Sequence, residues 1–185
     1  MNNWPKFPGP DTAQYRSSTV DKCCVNQVSC FGRKPDIVFA GAEHIQQIMD
    51  LDGEGFDVSW SYESFKKELD NPNSFVLCAC IDDTVVGFVC TRQLDAEAEV
   101  FRIAVNKLYR RQGIATSLLQ RVFSILSDKE ISFTFLEVES TNISAIGLYR
   151  KMGFVDDGVR RNYYGYGRDA ILMSMSLIDS NFKVA

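Results

Sequence analysis

The chain has 185 residues, 45% of them hydrophobic and 24% charged, which suits one domain large enough to bury a sizeable core. A formal net charge of −4 and a pI near 5.1 speak against direct nucleic-acid binding, which calls for a basic field. No apolar run approaches the roughly 20 residues that span a bilayer, and Met1–Lys6 lacks a secretory apolar stretch, so a cytoplasmic protein without membrane contact is expected.

Residues 1–35 hold Pro5, Pro8, Pro10 and Pro35 among many polar residues, with no sustained period. They read as an irregular extension, followed by one domain over 36–180. Cys23, Cys24 and Cys30 fall in the extension, where redox and incidental surface roles stay open. Cys78, Cys80 and Cys90 fall in strand-like segments. Cys78 and Cys80 would share a strand face, as reduced thiols packed like small apolar residues. A zinc site would need paired Cys or Cys/His clusters, and His44 is the only histidine, so no metal is expected.

Within the domain, Ile37–Phe39 suggests a first strand, and Ala42, Ile45, Ile48 and Met49 follow helical spacing. Gly53 and Gly55 are expected to open a loop reaching Trp60, after which Ser61 caps a helix through about Leu69. Asn71-Pro72-Asn73 ends it. Strands Ser74–Ile81 and Thr84–Arg92 flank the turn Asp82-Asp83 as a hairpin. A strand over Glu97–Val105 leads into Arg110–Ala115 and then a helix whose stripe is Ile114, Leu118, Leu119, Val122, Ile125 and Leu126. Ser132–Glu139 reads as a strand, Thr141–Met152 as a helix ended by Gly153, and Phe154–Arg160 and Asp169–Ser176 as two strands. This order implies an α/β fold with a mixed, mostly antiparallel central sheet and helices on both faces.

A strand, then Arg110-Arg111-Gln112-Gly113-Ile114-Ala115, then a helix is an arrangement suited to phosphate. The first turn of a helix leaves N–H groups without internal partners, and its dipole favours an anion. Gly113 lets a pyrophosphate approach the backbone, Ala115 keeps the helix start narrow, and the two arginines can add charge-assisted bonds. No Gly-Lys-Ser/Thr follows, and there is no G-x-G-x-x-G, so neither a P-loop nor a dinucleotide fold is indicated. A solvated basic turn is the bland alternative. Further on, Glu137 alternates with Leu136 and Val138 and faces away from them. Asn142 begins a helix, and Tyr149 follows on nearly the same face about 10 Å along the axis.

Together, Ile103-Ala104-Val105, Arg110-x-x-Gly113-x-Ala115 and Asn142-x-x-Ala145-x-x-Leu148-Tyr149-x-x-x-Gly153-Phe154 resemble the GNAT superfamily of acetyl-CoA-dependent N-acetyltransferases. Leu136-Glu137-Val138 and Arg160-Arg161-Asn162-Tyr163-Tyr164, followed by Asp169-Ala170, resemble its RimI-type ribosomal-protein-alanine N-acetyltransferases. The likeness covers about residues 36–176. It implies acetyl transfer from acetyl-CoA to a protein or peptide N-terminus, most specifically the N-terminal alanine of a small-subunit ribosomal protein, by a monomeric enzyme. It also implies that Ile103, Ala104 and Val105 meet the pantetheine arm, that Arg110, Arg111, Gln112, Gly113, Ile114, Ala115 and Thr116 receive the pyrophosphate, and that Asn142 contacts the arm. Glu137 would be the general base and Tyr149 the general acid. Trp60, Tyr163 and Tyr164 would bind the acceptor, although the tyrosines could equally pack on the sheet edge. The segment Phe56–Phe65 resembles a loop that often reads Phe-Pro-Trp-Ser, with Ser59 standing where the proline would be. A broader N-terminal, lysine or small-amine acetyltransferase, or a non-catalytic acetyl-CoA-binding module, remain as alternatives.

Overall fold

The computed structural model describes residues 33–178. The extension expected over 1–35, with Cys23, Cys24 and Cys30, lies almost wholly outside the described residues. Strand β1 (Asp36–Phe39) precedes helix α1 (Ile45–Gly55), and α2 (Tyr62–Asp70) follows after a short loop. Next come β2 (Ser74–Ile81), β3 (Thr84–Leu94) and β4 (Glu97–Val105), then α3 (Ile114–Asp128), β5 (Phe133–Glu139), α4 (Ile143–Lys151), β6 (Val155–Arg160) and β7 (Ala170–Ser176). One difference from the sequence reading is local. Gly53 and Gly55 do not open the loop but complete α1, whose C-cap is Phe56. Burial of Ile45, Ile48 and Leu51 on one face outweighs the modest cost of glycine in a helix.

The strands form one sheet in the order β1-β2-β3-β4-β5-β7-β6, antiparallel except between β4 and β5. Two apolar layers cover it. On one face Leu118, Leu119, Val122, Phe123 and Leu126 of α3, with Ile146 and Tyr149 of α4, pack against Val100, Leu136 and Val138. On the other, Ile45, Ile48 and Leu51 of α1 and Phe65 of α2 pack against Val76, Cys78, Phe88 and Cys90. Cys78, Cys80 and Cys90 are free thiols, and burial raises each of them, Cys78 to about 12, so they serve as apolar packing.

Two irregularities shape the centre of the sheet. First, β4 carries a bulge: Cys90 pairs with Arg102 and Thr91 with Val100, so Phe101 is the extra residue. A bulge puts two consecutive side chains on one face. Phe101 packs into the α1/α2 layer, and Arg102 on the same side reaches Asp52 of α1. Second, β4 and β5 pair only over Glu97–Glu99 and Phe133–Phe135. Beyond that rung both strands continue, to Val105 and Glu139, without pairing to each other. The sheet therefore splits at its middle.

Candidate active site

At the far end of β4 the chain turns through Asn106–Gly113 into α3. Asn106 accepts a hydrogen bond from the Leu108 N–H at 3.0 Å, Arg110 Nε donates to the Val105 carbonyl at 3.0 Å, and Gln112 Nε2 donates to the Leu108 carbonyl at 3.3 Å. Arg111 and Gly113 have left-handed backbone, φ +64° and +83°. Gly113 is the N-cap of α3 and offers no side-chain bond to the first turn. The earliest helical bond there is Ser117 N–H to the Gly113 carbonyl, at 2.9 Å. The N–H groups of Ile114, Ala115 and Thr116 are thus left for a ligand at the positive end of a 15-residue helix with no acidic residue in its first turn. A Cβ built on Gly113 would meet nothing within 4 Å, so the space above it is open. These features fit a pyrophosphate, while the unpaired edge of β4 at Ile103–Val105 offers backbone groups to an extended arm.

Across the split, β5 places Glu137 on the face opposite Leu136 and Val138, as alternation predicts. Its carboxylate lies 2.5 Å from Arg160 Nη1 of β6, and its side chain is only 15% exposed. Tyr163, in the loop between β6 and β7, hydrogen-bonds the same carboxylate. Burial first, then that bond, push its phenol up to about 12. Tyr164 donates to the Glu137 carbonyl at 3.4 Å and stacks edge-on against Tyr163, ring centres 5.0 Å apart. Burial raises the Tyr164 phenol too, with Glu137, Tyr163, Tyr149 and Glu139 acting in the same direction, which puts all these groups in one neighbourhood. The two tyrosines therefore gather over Glu137 rather than packing only on an edge.

Helix α4 contributes Tyr149 and Asn142. Asn142 is the N-cap: its side-chain oxygen accepts from Ala145 N–H at 3.1 Å, so the amide NH2 is the end that could donate to a ligand. Tyr149 is 6% exposed and packs edge-on against Phe154 at 5.7 Å, and burial holds its phenol protonated far above the ordinary value. Gly153, at φ +102°, ends α4 with paired bonds, Gly153 N–H to Arg150 and Phe154 N–H to Tyr149. That turn fixes Phe154 against Tyr149.

Trp60 is positioned differently from the other aromatic candidates. Its ring packs on Phe65 and Phe101, at 5.3 and 6.1 Å, and its backbone N–H donates to Asp52 at 2.7 Å. Arg102 organises this loop. It ion-pairs Asp52 at 2.6 Å, donates to the Val58 carbonyl, and stacks on the rings of Phe56 and Trp60. Arg168, from the loop between β6 and β7, forks onto Glu139 at 2.6 and 2.8 Å and reaches Asp57 at 2.6 Å. The loops on both sides of the split are thus tied together. Sequence reasoning missed Arg102, Asp52, Arg168 and the partner role of Arg160, because each acts through contacts distant in the chain.

A cavity of about 380 Å3 lies elsewhere, at the β1 edge, lined by residues such as Asp36, His44, Cys80 and Asp83. It holds none of the groups above, and the split carries the convergent chemistry. Among the described residues no cluster of three or more His, Cys, Asp or Glu suits a metal ion, and no helix is long and apolar enough to cross a membrane.

A mixed sheet split between parallel central strands, with an uncapped helix start at one end of the gap and a carboxylate and phenols across it, has the parts that acyl transfer from a phosphate-bearing donor needs. The chain belongs to the acetyltransferase (GNAT) family, whose pattern matches residues 45–154, and is an acetyl-CoA-dependent N-acetyltransferase. At 38% identity over 96 residues it is similar to the ribosomal protein bS18-alanine N-acetyltransferase of Escherichia coli K12, a match covering 50% of this chain and 65% of that enzyme. It is 32% identical over 161 residues to the N-alpha-acetyltransferase of Sulfurisphaera tokodaii, covering 79% of this chain and 95% of the relative. The crystal structure of the ribosomal-protein-S18-alanine N-acetyltransferase from Escherichia coli superposes with a TM-score of 0.72 at 25% identity, over 81% of this chain and 98% of that one.

Proposed function

We propose that this enzyme acetylates a protein N-terminal α-amino group, with the N-terminal alanine of a small-subunit ribosomal protein as its acceptor. The observation that carries this reading is the gathering of Arg160, Tyr163 and Tyr164 around Glu137, beside the split in the sheet. The names of the Escherichia coli relatives support the ribosomal acceptor.

In this reading the uncapped start of α3, with Arg110, Arg111, Gln112, Gly113, Ile114, Ala115 and Thr116, holds the pyrophosphate. The free edge of Ile103–Val105 and the Asn142 amide hold the arm, so the thioester is delivered into the split. Tyr163, Tyr164 and the loop bearing Trp60 border the acceptor. An α-amine with pKa about 7.7–8.0 is already 10–20% neutral at pH 7, whereas a lysine near 10.4 is neutral less than about one time in a thousand. A modest base therefore serves an N-terminus, and Glu137 draws the proton directly or through water. The amine attacks the acetyl carbon, the C–S bond breaks, and Tyr149 protonates the departing sulfur. Burial keeps that phenol neutral and protonated at every working pH.

The archaeal relative, matched along nearly its whole length and named for N-alpha-acetylation alone, favours a second reading in which the acceptor range is broader. Peptides differing only in their first two residues separate the two. Turnover confined to alanine-first peptides is expected; comparable turnover of serine-, methionine- and alanine-first peptides would establish the broader enzyme instead.

A further inference from the structure

The acceptor's path has an inner end marked by carboxylates and an outer end crossed by Arg168. At the inner end Arg160 and Tyr163 engage the Glu137 carboxylate. Glu99, on the last rung where β4 pairs with β5, is 9% exposed; burial first, then Glu137, push its carboxyl up to about 7, with Arg92 and Arg160 opposing. Glu139 follows Glu137 by two residues on β5, so it shares that face about 7 Å further along the strand. There Arg168 forks onto it, Nε at 2.6 Å and Nη2 at 2.8 Å, and Nη2 also reaches Asp57 at 2.6 Å. Nη1 takes no part in these contacts.

The backbone places Arg168 as firmly as its ion pairs do. Its N–H donates to the Gly165 carbonyl at 3.0 Å, and its carbonyl accepts from Tyr164 N–H at 3.1 Å. Asn162 closes the loop: its side-chain oxygen accepts from Gly167 N–H at 2.6 Å, and its own N–H donates to Asp169 at 2.8 Å. Gly165 and Gly167, at φ +123° and +75°, permit the turn between them. The bond from Arg168 holds the Glu139 carboxyl below its usual range, so the pair stays charged. Arg168 is still 39% exposed, and Nη1 is the donor that the fold does not use. Two carboxylates around one guanidinium leave the group net negative, which disfavours an anionic ligand and suits a neutral oxygen such as a peptide carbonyl.

An extended chain advances about 3.4 Å per residue. An acceptor with its α-amine at Glu137, leaving between the Asp57 loop and the loop between β6 and β7, carries its second carbonyl about 7 Å outward, level with Glu139. We propose that Arg168 reads the acceptor's main chain: Nη1 donates to the carbonyl oxygen of the acceptor's second residue, while Glu139 and Asp57 hold the guanidinium in place. This rests on the N-terminal acetyltransferase reading above. It adds a demand for a second peptide unit, whatever that residue's side chain. A small amine offers no such carbonyl and binds without this hold.

The test uses the full-length chain, saturating acetyl-CoA and two acceptors. One is alanyl-alanine amide. The other is alanine N-isopropylamide, the same molecule with its second carboxamide replaced by a methyl group. In the parent enzyme kcat/KM should favour the dipeptide amide by about tenfold or more, the size of a hydrogen bond to a charged group. Arg168→Gln should bring that ratio close to one. Arg168→Lys, which keeps the charge but loses the fork, should restore only part of it. Asp57→Asn, which leaves the fork on Glu139, should keep most of it. Acetyl-CoA affinity by calorimetry and the urea-unfolding midpoint should change little in all three. A ratio near one in the parent, a measurement that needs no variant, overturns the proposal, as does an unchanged ratio in Arg168→Gln. Equal loss of the ratio in Asp57→Asn and Arg168→Gln also overturns it, in favour of a role confined to tying the two loops. If the parent acetylates lysine but neither alanine amide, the N-terminal reading fails and this proposal with it. If both amides are acetylated equally well, the N-terminal reading stands and only the role of Arg168 is lost.

Discussion

Tyr149 has two properties that a proton donor to a thiolate requires: it is protonated throughout the working range, and its ring is held in place by Phe154. Tyr149→Phe keeps the ring and removes only the hydroxyl. It should lower kcat by about tenfold or more while acetyl-CoA affinity, measured by calorimetry, stays nearly constant. Equal kcat in the two proteins would remove the acid role. Alternation within β5 placed Glu137 correctly on its face, because a strand's period is local. Nothing local marked Arg160 as its partner or Glu99 as buried. In the sequence Glu99 falls within the strand expected over Glu97–Val105, and nothing local to it shows that the folded sheet leaves it only 9% exposed beside β5.

The elements themselves were largely legible. Apolar spacing in α3 and α4, the Asp82-Asp83 turn and the Gly153 stop all act over a few residues. The bulge at Phe101 was not legible, since it exists only relative to the partner strand β3. It is also what turns Arg102 towards Asp52 and pins α1 and its following loop to β4. Asp52 is fully buried and Arg102 nearly so. Asp52→Ala should therefore cost about 3–5 kcal/mol by leaving a buried cation unpaired, read from urea unfolding. At the start of α3, Gly113→Ala would hold alanine at φ +83° and place a methyl in the open space above the loop. A stability loss of about 1–2 kcal/mol is expected, together with acetyl-CoA binding weakened by about tenfold or more, since each weakening of 1.4 kcal/mol is tenfold. Retained affinity would show that pyrophosphate does not approach this backbone.

For the molecule as a whole, Glu99 links charge to stability. Its folded value is raised above 4.5, so the native state binds its proton more tightly than the unfolded chain does. The stabilisation it lends is complete below about pH 4.5 and is lost as pH rises to about 7. Glu99→Gln should flatten that part of the urea-unfolding profile and be more stable than the parent above pH 7; parallel profiles would deny the shift. Bound donor should act in the opposite sense, adding about 2.7 kcal/mol at a hundred times its Kd, and chelators should leave both stability and turnover unchanged.

The proposed reaction puts the acetyl group on an α-amine, and locating that group tests it. An alanine-first peptide that also contains an internal lysine, incubated with the enzyme and acetyl-CoA, can be sequenced by tandem mass spectrometry. A single acetyl group on the alanine nitrogen is expected, with no reaction when that nitrogen is blocked by formylation. Acetyl on the lysine side chain, or CoA release from the blocked peptide, would contradict it.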